Sequence, residues 1–263
     1  MNVQSLGSRK APMSAAEAQV RRDLAAAYRL VASYGMDDSI YTHISARVPD
    51  TDDQFLINPF GMLFRDITAS SLVKIDLEGR ILEPSDWDVN PAGFTIHSAV
   101  HSARHDAVCV AHTHTLAGVA VSSLEEGLQP CNQWALQFHN RVVYHEFEGI
   151  ALDHAERERL VADLGPTARA MILRNHGLLT VGRTVAEAFL LMLNLNRACE
   201  VQIALQSTGR PIHMVPDAVC ELTARQYEGG DSNRLPGSPD PNAREWAAML
   251  RRLGPPDATT YLD

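Results

Sequence analysis

The sequence predicts an α/β sandwich in which a mainly antiparallel central sheet carries helices on both of its faces. Two observations carry that prediction. Helix starts are marked by capping boxes, where a Ser, Thr or Asp is followed three residues later by Glu and two orphan amides are satisfied reciprocally. Between the helices lie short apolar and β-branched runs without the regular strand-helix-strand beat of a parallel sheet.

Taken in order, Ser14 with Glu17 opens a first helix that Gly35 closes, near 14–34. Glycine suits that closing position because it adopts the left-handed conformation without steric cost. The runs QFLIN at 54–58 and VKIDLEGRIL around a Glu78-Gly79 turn read as strands. Asn90-Pro91 pairs an N-cap with the proline best tolerated in a first helical turn, and the helix that follows sets His97 and His101 one turn apart. Strand signals return at AVCVAHTH, 107–114, and RVVYHEF, 141–147. Asp153 with Glu156 and Gly165 bound a helix near 153–164, and Thr184 with Glu187 and Gly209 bound another near 184–208. Between them ARAMILR, 168–174, and LLTV, 178–181, are strands. Residues 231–241 are rich in Gly, Pro, Ser and Asp and read as a linker before an amphipathic helix at REWAAMLRRL. The expected organisation is an N-terminal arm over 1–13, one domain over 14–230, and a linker with a C-terminal helix over 231–263.

With 263 residues, 45% of them hydrophobic, the chain can bury one large core. Its 32 acidic residues outweigh 23 basic ones, for a net charge of −9, and there is no long basic run. Nucleic acid and anionic membrane are therefore not expected partners, since binding phosphates needs clustered Lys and Arg. Cys109, Cys131, Cys199 and Cys220 show no C-x-x-C spacing, and three of them sit in apolar runs. That pattern points to free thiols in a reduced setting. No N-terminal stretch has signal-peptide character, and no later segment reads as apolar enough to span a bilayer, so a soluble, cytoplasmic protein is expected.

The chemistry-bearing signal is in the histidines, of which there are 11. His112 and His114 stand at i and i+2 at the end of an apolar strand, so their side chains leave the same face about 7 Å apart. Two such imidazoles can converge on one ion, and three with an open position is the arrangement of catalytic zinc. The best third ligand is His176 in RNHG, which follows the strand ARAMIL and precedes a glycine suited to a sharp turn. His97 and His101 share a helical face and are either core residues or site residues. His105, His139, His145, His154 and His213 lie in polar surroundings and read as ordinary surface or packing residues.

The segments GFTIHSAVH at 93–101, HTHTLAGVAVS at 112–122, and ILRNHGLLTVG followed by TVAEAF and ACEVQ between 172 and 202 give the chain a family likeness. From about Met13 to Gly209 it resembles the class II aldolase/adducin superfamily, and in wording its adducin-like branch. The resemblance implies the class II aldolase-like sandwich, a homotetramer, and a divalent metal on His112, His114 and His176, most often Zn2+, with Mn2+, Fe2+ or Co2+ as alternatives. It also implies a catalytic carboxylate and a phosphate cradle, and here the chain departs from the pattern. The carboxylate position falls on Gly93, the Ser-Ser pair before it on Pro91-Ala92, a Gly-Asn pair on Thr42-His43, and the Thr of a Thr-Gly pair on Phe60, with Gly61 retained.

By position, Tyr41, His43 and His97 are the candidates to replace the missing acid, and Asn58, Phe60, Gly61 and Asn90 are candidate substrate contacts. The reading that follows is a divalent-metal-dependent lyase, of aldol or decarboxylase type through a metal-stabilised enolate, on a small oxygenated and non-phosphorylated substrate. A catalytically silent scaffold like the adducin head ranks second, and a non-haem iron oxygenase third. The apolar stretch QPCNQWALQF, 129–138, is the expected wall from a neighbouring subunit.

Overall fold

The computed structural model describes residues 13–149, 155–229, 240–254 and 260–263. Helices α1 (Ala15–Ser33), α2 (Pro91–Ala103), α3 (Leu116–Ser122), α4 (Gln133–Leu136), α5 (Glu156–Leu164), α6 (Val185–Gln206), α7 (Asp217–Tyr227) and α8 (Pro241–Arg252) surround one sheet. Its strands are β1 (His43–Arg47), β2 (Gln54–Ile57), β3 (Val73–Asp76), β4 (Cys109–Thr113), β5 (Val142–His145), β6 (Ala170–Leu173) and β7 (Gly177–Gly182). They lie in the order β3-β2-β1-β4-β7-β6-β5. Every neighbouring pair is antiparallel except β5 with β6. The mainly antiparallel sandwich expected from the sequence is the fold observed.

Successive side chains of a strand face opposite ways, and the sheet sorts its residues accordingly. Ile44 and Ala46 of β1, Cys109 and Ala111 of β4, and Ile172 of β6 enter a core with Leu24, Tyr28 and Leu30 of α1 and Met192 and Leu195 of α6. On the other face Val110, Met171, Leu179 and Val181 meet Ile96 and Val100 of α2 and Leu160 and Leu164 of α5. Between these alternates β1 sends His43 and Ser45 into hydrogen bonds with residues of α2. The polar layer described below is therefore interior to the sandwich.

At three starts the N-cap side chain acts as the sequence indicates, while the glutamates of the expected boxes take other partners, Glu17 accepting from Arg21 and Lys74 and Glu187 accepting the Arg183 amide. Ser14, Asn90 and Thr184 accept the amides of Glu17, Ala92 and Glu187. The Asp153 box lies partly outside the described residues, and α5 instead starts from Ala155 without a side-chain cap. The strand β1 and the helices α3, α4 and α7 are elements the sequence reading left out. The linker over 231–241 falls almost wholly outside the described residues, while α8 follows it and buries Trp246 against Phe189 of α6.

One expectation needs correcting. Helix α6, 22 residues long, is apolar enough by length and composition to match a membrane span. In the fold it is the central core helix, with Val185, Phe189, Met192, Leu193, Leu195 and Cys199 buried. A helix apolar on most of its circumference is what such a position demands.

Candidate metal centre

His112 is the penultimate residue of β4, His114 lies one residue past the strand, and His176 stands in the turn between β6 and β7. That turn is built differently from the sequence reading. Its left-handed residue is Asn175, with φ 55°, and not the glycine. Gly177 is required for close approach: a Cβ there would lie 2.4 Å from the Thr113 carbonyl oxygen. The missing side chain lets β7 start against the end of β4 and carries His176 to the other two rings.

The three Nε2 atoms converge. His112 and His114 are 2.8 Å apart, His114 and His176 3.0 Å, and ligand atoms of all three lie within 4.8 Å of one another. The protons are accounted for on the far side of two rings. His112 Nδ1 lies 2.9 Å from the Leu178 carbonyl oxygen, and His114 Nδ1 lies 3.0 Å from Asp38 Oδ2. Both partners can only accept, so each Nδ1 carries a hydrogen, and in a neutral ring Nε2 then presents its lone pair. Two lone pairs facing each other at 2.8 Å suit a shared cation. A carboxylate or carbonyl behind a ligating imidazole is also the usual way such rings are oriented and made more basic. Burial holds His112 well below its ordinary pKa, helped by the neighbouring histidines, and pushes His176 down to about 4, so both are neutral and able to ligate at pH 7. The donor set fits a divalent metal.

Behind this triad stands a second group. His43 and His112 are cross-strand partners on β1 and β4, their ring centroids 5.0 Å apart. His43 Nδ1 is 2.8 Å from His97 Nε2, and His97 Nδ1 is 2.5 Å from Ser45 Oγ. Ser45 Oγ is also 2.7 Å from His101 Nε2, and His101 Nδ1 is 3.0 Å from the Ala107 carbonyl oxygen. All four side chains are buried. Burial depresses the pKa of His43, with His97 as the next contributor, and depresses His97, with His101 next. His101 falls to about 3, again through burial first and then the Arg47 charge.

Gly93, in the first turn of α2, explains how His43 fits. A Cβ added there would come 2.5 Å from His43 Cδ2 and 2.9 Å from Nε2. The His43 ring lies against the spot that any side chain at 93 would enter.

The other candidates are placed less centrally. Tyr41 is 55% exposed and its ring is tilted against that of Phe60, with centroids 6.5 Å apart. Gly61 has φ 103° and lies beside the exposed Trp87 ring, 3.5 Å from where its Cβ would be. The carboxamide oxygens of Asn58 and Asn90 are engaged within the fold. Asn58 is buried and its Oδ1 accepts from the Tyr28 hydroxyl at 2.8 Å, while Asn90 Oδ1 accepts the Ala92 amide at 3.1 Å. The stretch 129–138 supplies α4, which packs on α6 and α7. Among the histidines set aside, His145 is a packing residue, buried between Asp163 at 2.7 Å and Glu156 at 3.7 Å.

Two residues with a part in the centre were missed. Asp38 lies 76 positions before His114, and no spacing rule links them. Ser45 would have been found from its i+2 relation to His43, had β1 been recognised.

Comparison with known proteins agrees with this architecture. The family described as Class II Aldolase and Adducin N-terminal domain matches residues 22–203. A protein of Pseudomonas aeruginosa, assigned by name to aldolase class 2, is 52% identical over 244 residues, covering 93% of this chain and 92% of its own. The crystal structure of an aldolase II superfamily protein from Pseudomonas syringae superposes with a TM-score of 0.85 at 49% identity, covering 95% of this chain and 97% of that one. An L-fuculose 1-phosphate aldolase from Glaciozyma antarctica superposes with a TM-score of 0.75 at 28% identity, covering 93% and 94% of the two chains. The chain belongs to the class II aldolase/adducin superfamily.

Proposed function

We propose that this protein is a divalent-metal-dependent lyase whose substrate is small, oxygenated and not phosphorylated, and that His43 moves the proton in place of the family's carboxylate. The observation that carries the reading is the contact between positions 43 and 93, where an imidazole lies against the space that a side chain on α2 would use. His112, His114 and His176 are the residues that would hold the metal, with Zn2+ the first candidate. When bound, the metal supplies Lewis-acid polarisation of a substrate oxygen.

The remaining work falls to the chain. His43 is neutral, its Nδ1 is engaged with His97, and its Nε2 makes no hydrogen bond to another described residue. That nitrogen takes a proton from a substrate hydroxyl as a carbon–carbon bond breaks, and returns it to the carbon that leaves. The positions of the phosphate cradle hold Phe60, Pro91 and Ala92, which offer no side-chain donor, and the neighbouring surface presents Tyr41 and Trp87. These groups support a substrate without a phosphate. A homotetramer of cytoplasmic location belongs to the same proposal, and light scattering on the purified protein tests the assembly.

The deciding experiment is elemental analysis of protein purified without added metal, followed by assay of the zinc-loaded protein. L-fuculose and rhamnulose phosphates should not be cleaved measurably, and a panel of non-phosphorylated hydroxy and carboxylated compounds should contain a substrate. His43→Ala should lower that turnover by about 10²–10⁴-fold, the usual weight of a general acid or base, with metal content unchanged. Efficient cleavage of a sugar phosphate by the unmodified protein, or full turnover by His43→Ala, overturns the reading. Gly93→Glu alone should not confer sugar-phosphate cleavage, because its side chain runs into His43 and the cradle is still missing.

A further inference from the structure

The contacts of His43, His97, Ser45 and His101 form a chain whose hydrogen-bond direction is fixed from its inner end. The Ala107 carbonyl can only accept, so His101 Nδ1 carries the hydrogen at that 3.0 Å contact. His101 is buried and its pKa lies near 3, so the ring is neutral and Nε2 is bare. Ser45 has one hydroxyl hydrogen. It must donate to His101 Nε2 at 2.7 Å, and its oxygen must then accept from His97 Nδ1 at 2.5 Å. With Nδ1 protonated, neutral His97 has a bare Nε2, which accepts from His43 Nδ1 at 2.8 Å. His43 is left with Nε2 unprotonated.

We propose that Ser45, His97 and His101 are positioning residues that lock His43 into the tautomer with a bare Nε2 beside the metal ligands. This rests on the reading of His43 as proton carrier only for its purpose, since the tautomer itself is set by the contacts. The need for such a lock is physical. A neutral histidine in water exchanges between tautomers, and His43 protonated on Nε2 would present a donor where a base is required. A backbone carbonyl at the far end of the chain is a fixed reference, because it has no proton of its own to exchange. Every link is buried, so no water is needed to complete the sequence. Arg47 supports the inner end, with Nη2 donating to the His101 carbonyl at 2.5 Å, and keeps α2 seated on β1.

The test is the nitrogen spectrum of the histidine rings, recorded by long-range proton–nitrogen correlation on metal-free and on zinc-loaded protein. His43 signals are assigned by their loss in His43→Gln. In the unmodified protein His43, His97 and His101 should each show a single tautomer protonated on Nδ1. A His43 ring protonated on Nε2 in metal-free protein overturns the proposal. Ser45→Ala should remove the link, so that the His43 and His97 signals average between tautomers, whereas Ser45→Thr, which keeps a hydroxyl, should restore the single form. If Ser45→Ala leaves His43 wholly in the Nδ1–H form, Ser45 does not act through the chain and the proposal fails. With a substrate in hand, Ser45→Ala should lower kcat about twofold or more, the loss expected of a base that averages between two tautomers, with KM unchanged. A locked tautomer in a protein without turnover would sink the proposed function and leave this inference standing.

Discussion

Two histidine groups meet where His43 of β1 lies beside His112 of β4, and they use the same side chain in opposite ways. In the outer group, His112 and His114 attach Nδ1 to a carbonyl and a carboxylate, and their Nε2 atoms converge with that of His176. In the inner group, both nitrogens of His97 and of His101 are occupied by neighbours, and only His43 Nε2 is left over. The outer rings are tethered from behind and open in front; the inner rings are threaded together. The role of a histidine is thus read from what holds its second nitrogen, and identity or burial alone does not separate the two groups.

That contrast can be broken from either side. The largest effect should come from the outer group: His114→Ala should weaken metal binding by more than the roughly 10–100-fold that loss of a residue behind a ligand costs. Elemental analysis and competition with a chelator measure it. Asp38→Asn should fall within that 10–100-fold range, by releasing the His114 ring, whereas His101→Gln should leave metal affinity unchanged. Equal losses in both variants would erase the distinction.

Next in size is the contact between the groups and α2. Gly93→Ala should cost about 1–3 kcal/mol by overpacking against His43, measured by denaturant unfolding. In a His43→Ala background most of that cost should vanish, a coupling that a double-mutant cycle isolates. Additive losses would show that the two positions do not compete for one space.

The effect that is smallest per step is in pH, where it accumulates gradually. Burial lowers the folded-state pKa of His101 from 6.5 to about 3, and that of His97 in the same direction. The unfolded chain therefore takes up protons below pH 6.5 that the folded chain refuses, and stability must fall as pH drops through that window. One such histidine contributes at most about 1.4 kcal/mol per pH unit. His101→Gln, which does not titrate, should flatten the acid side of the melting-temperature profile by about that slope. An unchanged profile would mean that the ring is charged in the folded protein.

The sequence disclosed the outer group far better than the inner one, for physical reasons. An i,i+2 pair at the end of an apolar strand leaves a period that can be read, and the run ARAMIL leads directly to the third ring. The capped helices were equally legible, since Ser14, Asn90 and Thr184 act within three residues of themselves. Strand β1 was not: HISAR does alternate polar and apolar residues, but over five positions only Ile44 and Ala46 mark the period, and alanine is a weak strand signal. Without β1, Ser45 had no partner and His43 could be placed only by resemblance. Asp38 and the Leu178 carbonyl are contributed by distant parts of the chain, and only the closed sheet brings them to the rings.

The contact at Gly93 also constrains how such a site can be reached by mutation. The pattern implied by the family resemblance puts a carboxylate at position 93 and an asparagine at position 43, where this chain has a glycine and a histidine. Neither substitution is neutral alone, yet their order matters. A glycine at 93 with the smaller residue still at 43 leaves a hole, which a neighbouring side chain or water can share. A histidine at 43 with the carboxylate still in place forces two groups into one volume, with a Cβ alone already 2.5 Å from the ring. By packing alone, any passage between the two arrangements, in either direction, runs through glycine at 93 with a small residue at 43. The contact thus couples the two positions: while the ring is seated, a side chain at 93 has no room, and neither position can change size without the other making way.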